Sequence, residues 1–541
     1  MSAPPQTLEE LAYRSALQTS SGNGHVAVLA RAWIDNCLEN HKNCSKPSTK
    51  WKPTRLLDIS EGKIKLVLGE SASDKEVYAT LSHCWGTDKF PVLTPSNMHK
   101  YLDGVDITEF PLTFQEVIIT TRRLRLRYLW IDCYCILQET KNDPRKHEAR
   151  KDWEREGSCM GKVYANSLLN IGAAESKGPT QGLFRDRRPL DIRKFREVSG
   201  IEEMQLNSSL FKRAWVIQEC VMAPRMLSFA RGHVYWQCSQ LCACEGDPDE
   251  VKISFREHAS IWHRSHPFWI LDSLAPDRRP DPKDIEHRWA SFLDAYCTSR
   301  LTYFKKDHFK ALDAVAKKFE RLSGEMVKYG VMASTLPKAL LFNTIPERPE
   351  APPSNHMFFR DARKPGALPP YSMVIPSKHI PEKARRDGPG PTWHWSSCYP
   401  YVSHNPVHTS YLAVGNHQRP LAYSFMSKDC KPLPEADSDS LWPRICLIGR
   451  LLLVRSPSHD GYDTKKDKDH ALSNKTVFYL PLIQYGTNRF EGLIVMRSYS
   501  VHSAFAVVCR RVGTWDSSEA DFLKNFGVRP LHTRPRLIVL E

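Results

Sequence analysis

Nowhere in the 541 residues is there an uninterrupted apolar run approaching the ~20 that a membrane-spanning helix needs, so no membrane span is predicted. The opening residues, Met1-Ser-Ala-Pro-Pro5, have neither the basic nor the apolar part of a secretory leader, and a cytoplasmic chain is expected. The phosphate-binding signatures Gly-x-x-x-x-Gly-Lys and Gly-x-Gly-x-x-Gly are missing, which argues against hydrolysis of nucleoside triphosphates. There is no Gly-x-Ser-x-Gly elbow, no zinc-finger spacing, no aromatic RNA-binding pattern and no internal repeat.

What is present reads as globular. Apolar residues make up 41% and charged residues 25% of the chain, and its length suits two to four domains. The net charge is +15, from 76 Lys and Arg against 61 Asp and Glu. Such a balance favours acidic partners, yet the basic residues are dispersed. Arg122, Arg123, Arg125 and Arg127 fall on and just after a predicted helix, and Lys465–Asp469 is a mixed-sign, solvated loop. Nucleic acid is therefore not expected as a partner. The fifteen cysteines are scattered, and without a leader they are expected to be reduced thiols. Cys37, His41 and Cys44 form the tightest Cys/His cluster, but zinc takes four ligands and no fourth lies nearby, so no metal is predicted.

Residues 8–40 read as helical, and 55–59 and 64–68 as two strands with Gly62 in the turn. Between 78 and 175 the pattern alternates. Tyr78–His83 is strand-like, and a helix capped by Thr113 carries Phe114, Val117 and Ile118 on its apolar side. Tyr128–Ile131 is an apolar run suited to a strand buried on both faces. A helix begins at Asp152 and Leu168–Ala173 is a further strand. Strand, helix, strand, helix, strand predicts an α/β layer with a parallel sheet. A short helix and two strands occupy 211–238, helices dominate 285–342, a Pro-rich stretch covers 346–390, and the remainder is β-rich.

Glu156 stands three residues after Trp153 and four before Met160, inside the apolar stripe of its helix. A buried carboxylate there needs a partner or a raised pKa, and either a structural pairing or acid–base work fits. Asp132 ends one strand, and Ser82 and His83 end another. If those strands are neighbours, Ser82, His83, Trp85 and Asp132 share a rim where open parallel sheets bind ligands. Adjacent strand residues point to opposite faces, so Ser82 and His83 are not a nucleophile–base pair. Arg213 precedes Trp215, Gln218 and Glu219 on one short helix, where it can pair with Glu156 or Asp132 or meet an anion.

The blocks Leu81-Ser-His-Cys-Trp-Gly86, Pro111-Leu-Thr-Phe114, Tyr128-Leu-Trp-Ile-Asp132, Asp152-Trp153 with Glu156 and Met160, and Arg213-Ala-Trp215 with Gln218-Glu219 occur in this order. Together they resemble the heterokaryon-incompatibility (HET) domain of filamentous fungi, a family tied to nonself recognition and programmed cell death. The chain departs from it where an aromatic residue usually replaces His83 and a Ser or Gly often replaces Cys133. The HET domain is similar to TIR domains, which implies a flavodoxin-like, TIR-like parallel sheet. The organisation expected is then a lead-in over 1–75, the HET domain over 76–240, a mainly helical region over 241–345, a Pro-rich linker over 346–390 and a β-rich region over 391–541.

Several TIR domains cleave NAD with one glutamate on a helix that also carries a Trp. Trp153 and Glu156 look like that arrangement at a shorter spacing. The resemblance thus implies NAD as a substrate and no cofactor, with Glu156 catalytic. Ser82, His83, Trp85, Asp132, Trp153 and Arg213 would contact the ligand. Self-association and an incompatibility partner protein are the partners it implies. A module that signals by assembly, without chemistry, is the second reading.

Overall fold

The computed structural model describes residues 7–188 except 43, 61 and 142, then 204–205, 208–249 and, with short gaps, 282–332; from 343 onward it describes separate strand segments. The chain divides into two compact units, Met1–Gly324 and Glu325–Glu541.

Helix α1 (Leu8–Ala16) opens with a capping box in which Thr7 and Glu10 satisfy each other's backbone N–H. The helical stretch is not continuous to residue 40: the Asn23 side chain caps a second helix, α2 (Gly24–Asn40). Strands β1 (Arg55–Asp58) and β2 (Lys65–Leu68) form a hairpin. The alternating segment follows as β3 (Tyr78–Ser82), α3 (Met98–Asp103), α4 (Leu112–Arg123), β4 (Tyr128–Trp130), α5 (Asp132–Cys135), α6 (Lys146–Ala165), β5 (Leu169–Gly172) and α7 (Ala214–Met222). Strands β6 (Arg225–Ala230), β7 (His233–Cys238) and β8 (Cys242–Cys244) complete the sheet.

The strand order is β2-β1-β4-β3-β5-β6-β7-β8. The expected parallel pairing is confined to the centre, where β3 lies between β4 and β5 and β5 pairs with β6. Both margins are antiparallel. The reason lies in the connections. The central strands are joined through helices, as parallel neighbours require, whereas β6 and β7 are joined by Arg231 and Gly232 alone. Both turn residues have positive φ (55° and 77°), the geometry of a tight hairpin.

Two helix starts differ from expectation. Helix α4 begins at Leu112, and Thr113 is buried with its hydroxyl donating to the Gly178 carbonyl. Helix α6 begins at Lys146, so Asp152 lies well inside it; Asp152 accepts from Arg55, Arg155 and the Leu137 N–H instead of capping.

Alternation along β3 sorts its neighbours. The Tyr78 hydroxyl donates to Val163 of α6 at 2.6 Å and Ser82 donates to Glu219 of α7, while His83 meets Phe114 of α4 on the other face. Helices α8 (Pro282–Cys297) and α9 (Lys310–Ser323) bury Trp289, Phe292, Tyr296, Leu312, Val315 and Phe319, as their periodicity predicts. Helix α9 crosses α6 so closely that a Cβ on Gly161 would lie 2.1 Å from that of Ala314.

In the second unit the described strands include an eight-stranded sheet with long segments Val477–Tyr485, Arg489–Arg497 and Val507–Ser518. The Pro-rich stretch 346–390 and the loop 465–469 lie outside the described residues. No described helix is long and apolar enough to cross a membrane.

Candidate functional site

Strands β3 and β4 are parallel neighbours with Thr80 opposite Trp130, so the residues beyond them emerge at one rim. Asp132 opens α5, accepting from the Cys133 N–H at 2.7 Å and from the Trp85 indole at 2.9 Å. His83 Nδ1 stands 3.7 Å from the Asp132 carboxylate. The His83 ring stacks on Trp85 and meets Phe114 edge-on at 4.9 Å, so it fills a slot fit for an aromatic side chain. Its Nε2 is buried and, among the described residues, has no hydrogen-bond partner. Burial pushes its pKa down to about 4, with Asp132 opposing and Arg213 assisting. Ser82, His83, Trp85 and Asp132 thus share a rim, as expected.

The centre of that rim is a residue not singled out for a role from the sequence. Ser82 donates its hydroxyl proton to Glu219, and Asn170 of β5 donates to the Ser82 oxygen at 2.9 Å. Thr80 in turn donates to the Asn170 carbonyl at 3.2 Å. Glu219 is 6% exposed. Burial, with a smaller push from Asp132, raises its pKa to about 7 against the pull of Ser82, Arg213 and Tyr164. Arg213 donates to the His83 carbonyl and makes no ion pair with Glu156 or Asp132 among the described residues. A signal for Glu219 was available: it is a carboxylate beside Gln218 in the otherwise apolar stretch Val216–Met222, which is buried throughout.

Glu156 has a different setting. It is 4% exposed and accepts from Thr54 at 2.7 Å and from Arg155 at 2.9 Å. None of its hydrogen bonds reaches Ser82, His83, Asp132 or Arg213. Trp153 meets Trp215 of α7 edge-on, 5.7 Å between ring centres.

Loops after β3 and β5 close over the rim. Gly86 has φ of +66°, and a Cβ there would sit 2.9 Å from the Gly178 Cα. Only Trp85 and Asp132 of the rim residues on β3 and α5 keep partial access to solvent.

Among the described residues, two groups of side chains could hold a metal ion. His83, Asp132 and Cys133 bring three ligand atoms within 4.8 Å of one another. The second group corrects the sequence reading: Cys37, His41 and Cys44 do have a fourth partner, Cys238, 197 residues beyond His41.

No curated protein and no solved structure matches this chain. The family model for heterokaryon incompatibility protein (HET) does, over residues 78–219, a span that begins at β3 and ends on Glu219. With the rim formed from the ordered blocks of that span, residues 78–219 of this chain are a HET domain.

Proposed function

We propose that this chain is a heterokaryon-incompatibility-type effector of nonself recognition and programmed cell death, whose HET domain cleaves NAD at the rim around Glu219. Within residues 78–219 a glutamate one turn from a tryptophan occurs twice, as Trp153 with Glu156 and as Trp215 with Glu219. The observation that carries the reading is the second pair's carboxyl, which is covered, bonded to a neutral hydroxyl and poised to titrate near neutrality. Its position supports the same reading. Taken in chain order, the central parallel strands β4-β3-β5-β6 run 2-1-3-4, which is flavodoxin-like, and such sheets bind ligands where the order switches. That crevice lies between β3 and β5, where Asn170 bonds to Ser82 and Ser82 bonds to Glu219.

In this mechanism the bond between the ribose C1′ and the nicotinamide nitrogen breaks, and its electron pair leaves with neutral nicotinamide. Ionised Glu219 stabilises the positive charge that develops on the ribose. Water then adds to C1′, a proton is released to solvent and ADP-ribose forms. Ser82 orients the carboxylate, Arg213 faces the substrate's phosphates, and Trp85 with Asp132 lines the entrance. Trp153 supports the site through Trp215, and Glu156 is a structural carboxylate. The rim is covered, so Trp85 and the exposed residues after it move aside for the ligand. Self-association, or an incompatibility partner, is the trigger for that opening.

The test is NAD level and viability in cells expressing the full chain. Wild type and Glu156→Gln should lose NAD and die, and Glu219→Gln should lower the rate of NAD loss by ~100-fold or more. Undiminished NAD loss in Glu219→Gln overturns the assignment. Death with NAD unchanged in all three transfers the function to assembly without chemistry, the reading that the closed rim favours.

A further inference from the structure

We propose that Cys37, His41, Cys44 and Cys238 form a structural zinc site that clips the N-terminal helices to the far edge of the sheet. Cys37 lies in the last turn of α2 and His41 at its C-cap, so their four-residue spacing puts both on one face. The His41 N–H bonds back to the Cys37 carbonyl, and the chain then turns to present Cys44. Cys238 ends β7, which is held against α2 by the stacked rings of Trp33 and Trp236, 6.1 Å apart.

The four ligand atoms all lie within 4.8 Å of one another. His41 Nδ1 is 3.8 Å from Cys44 Sγ and 3.3 Å from Cys238 Sγ. A tetrahedral ion with Zn–S of about 2.3 Å and Zn–N of about 2.1 Å needs ligand separations of about 3.5 to 3.8 Å. Both distances from His41 are within about 0.3 Å of that shell, and all the separations are within 4.8 Å, so the four groups are placed to close on an ion.

Arg225 supplies an independent argument. It is fully buried, and its guanidinium donates to Cys37 Sγ at 3.1 Å, to the Ser45 carbonyl at 2.8 Å and to the Leu168 carbonyl at 3.4 Å. No carboxylate among the described residues pairs with it. Against three neutral thiols this buried cation would have no counter-charge, an arrangement proteins avoid. Three thiolates and a neutral imidazole around a divalent ion leave one negative charge, which Arg225 balances. Its bonds to Cys37 and to the carbonyl beside Cys44 are also what holds metal ligands in place.

The donor set selects the ion and its role. Thiolates and imidazole suit zinc over hard cations. Four protein ligands leave no open position for substrate, so the site stabilises the fold. All four ligands lie outside 78–219, three before it and one after it.

The experiment is metal analysis of the purified full-length chain, prepared without chelator. A single zinc per chain is expected, lost in Cys44→Ser and Cys238→Ser and kept in Cys133→Ser. Wild-type protein gives a measurement free of variant misfolding. Chelation should make Cys37, Cys44 and Cys238 reactive toward an alkylating reagent together, and added zinc should protect all three while Cys159, which is partly exposed, reacts throughout. Cobalt(II) loaded in place of zinc should give the thiolate charge-transfer and ligand-field bands of a tetrahedral site. A metal-free wild type without zinc protection overturns the proposal. So does zinc that survives Cys238→Ser but leaves with Cys133→Ser, or a disulfide joining Cys37, Cys44 or Cys238 in protein isolated from a reducing cytosol.

Discussion

Helices α6 and α7 each carry a buried glutamate one turn from a tryptophan, and the two tryptophan rings touch. The glutamates nevertheless live in different chemistry. Glu156 is held by Thr54 and by Arg155, whose side chain is 60% exposed. Asp152, one turn earlier, is locked to the buried Arg55, and the two helix carboxylates extend one charged network. Glu219 accepts from the Ser82 hydroxyl in a buried crevice, with Arg213 acting on it through space. Burial depth is nearly equal for the two glutamates, so depth does not set their surroundings apart. The charge and hydration of the partners do.

The comparison can be broken most forcefully at Asp152. Asp152→Ala leaves the Arg55 guanidinium buried without its charge partner and should cost about 3 to 5 kcal/mol in urea unfolding. A loss below ~1 kcal/mol would mean that the α6 network does not hold the fold.

The next effect is on pH. Glu219 titrates at the ordinary 4.5 when unfolded and at about 7 when folded. The folded chain therefore keeps its proton while the unfolded chain loses one, and stability falls as pH rises from 4.5 to 7, by about 3 kcal/mol. His83 acts in the opposite sense. Its pKa drops from 6.5 to about 4, so its contribution is present above 6.5 and lost as pH falls toward 4. Unfolding wild type and Glu219→Gln side by side across this range isolates the glutamate. The difference should grow in the variant's favour up to pH 7 and then level off. Parallel pH profiles would show that Glu219 is not held protonated.

The smallest effect should come from Glu156→Gln. The amide retains an acceptor for Thr54 and loses only its attraction to a largely exposed Arg155, so less than ~1 kcal/mol should separate it from wild type in the same assay. A larger loss would make the two glutamates more alike than their partners suggest.

Much of the HET domain's outline was legible because it is local. Apolar runs marked β3, β4 and β5, and helical spacing marked α4 and the packing faces of α8 and α9. The strand ends marked Ser82 and Asp132 as candidates for one rim, and the pairing of β3 with β4 brought them together. Exact helix starts were not legible, since Thr113 and Asp152 have side chains suited to capping but spend them on tertiary partners. The turn at Gly62 marked the β1–β2 hairpin, but the antiparallel pairing of β1 with β4 was not legible, because it depends on which strands meet after the chain turns back.

The sequence by itself determined which segments are strands and helices, and which block of the chain carries the family's signature, because periodicity and short motifs are properties of neighbouring residues. Only the tertiary structure decided which glutamate meets Ser82, which arginine faces a sulfur instead of a carboxylate, and that Cys238 joins Cys37, His41 and Cys44. Those choices pair groups across tens to hundreds of residues. No spacing encodes them: they are fixed by strand order and by the cost of leaving a buried charge without a partner.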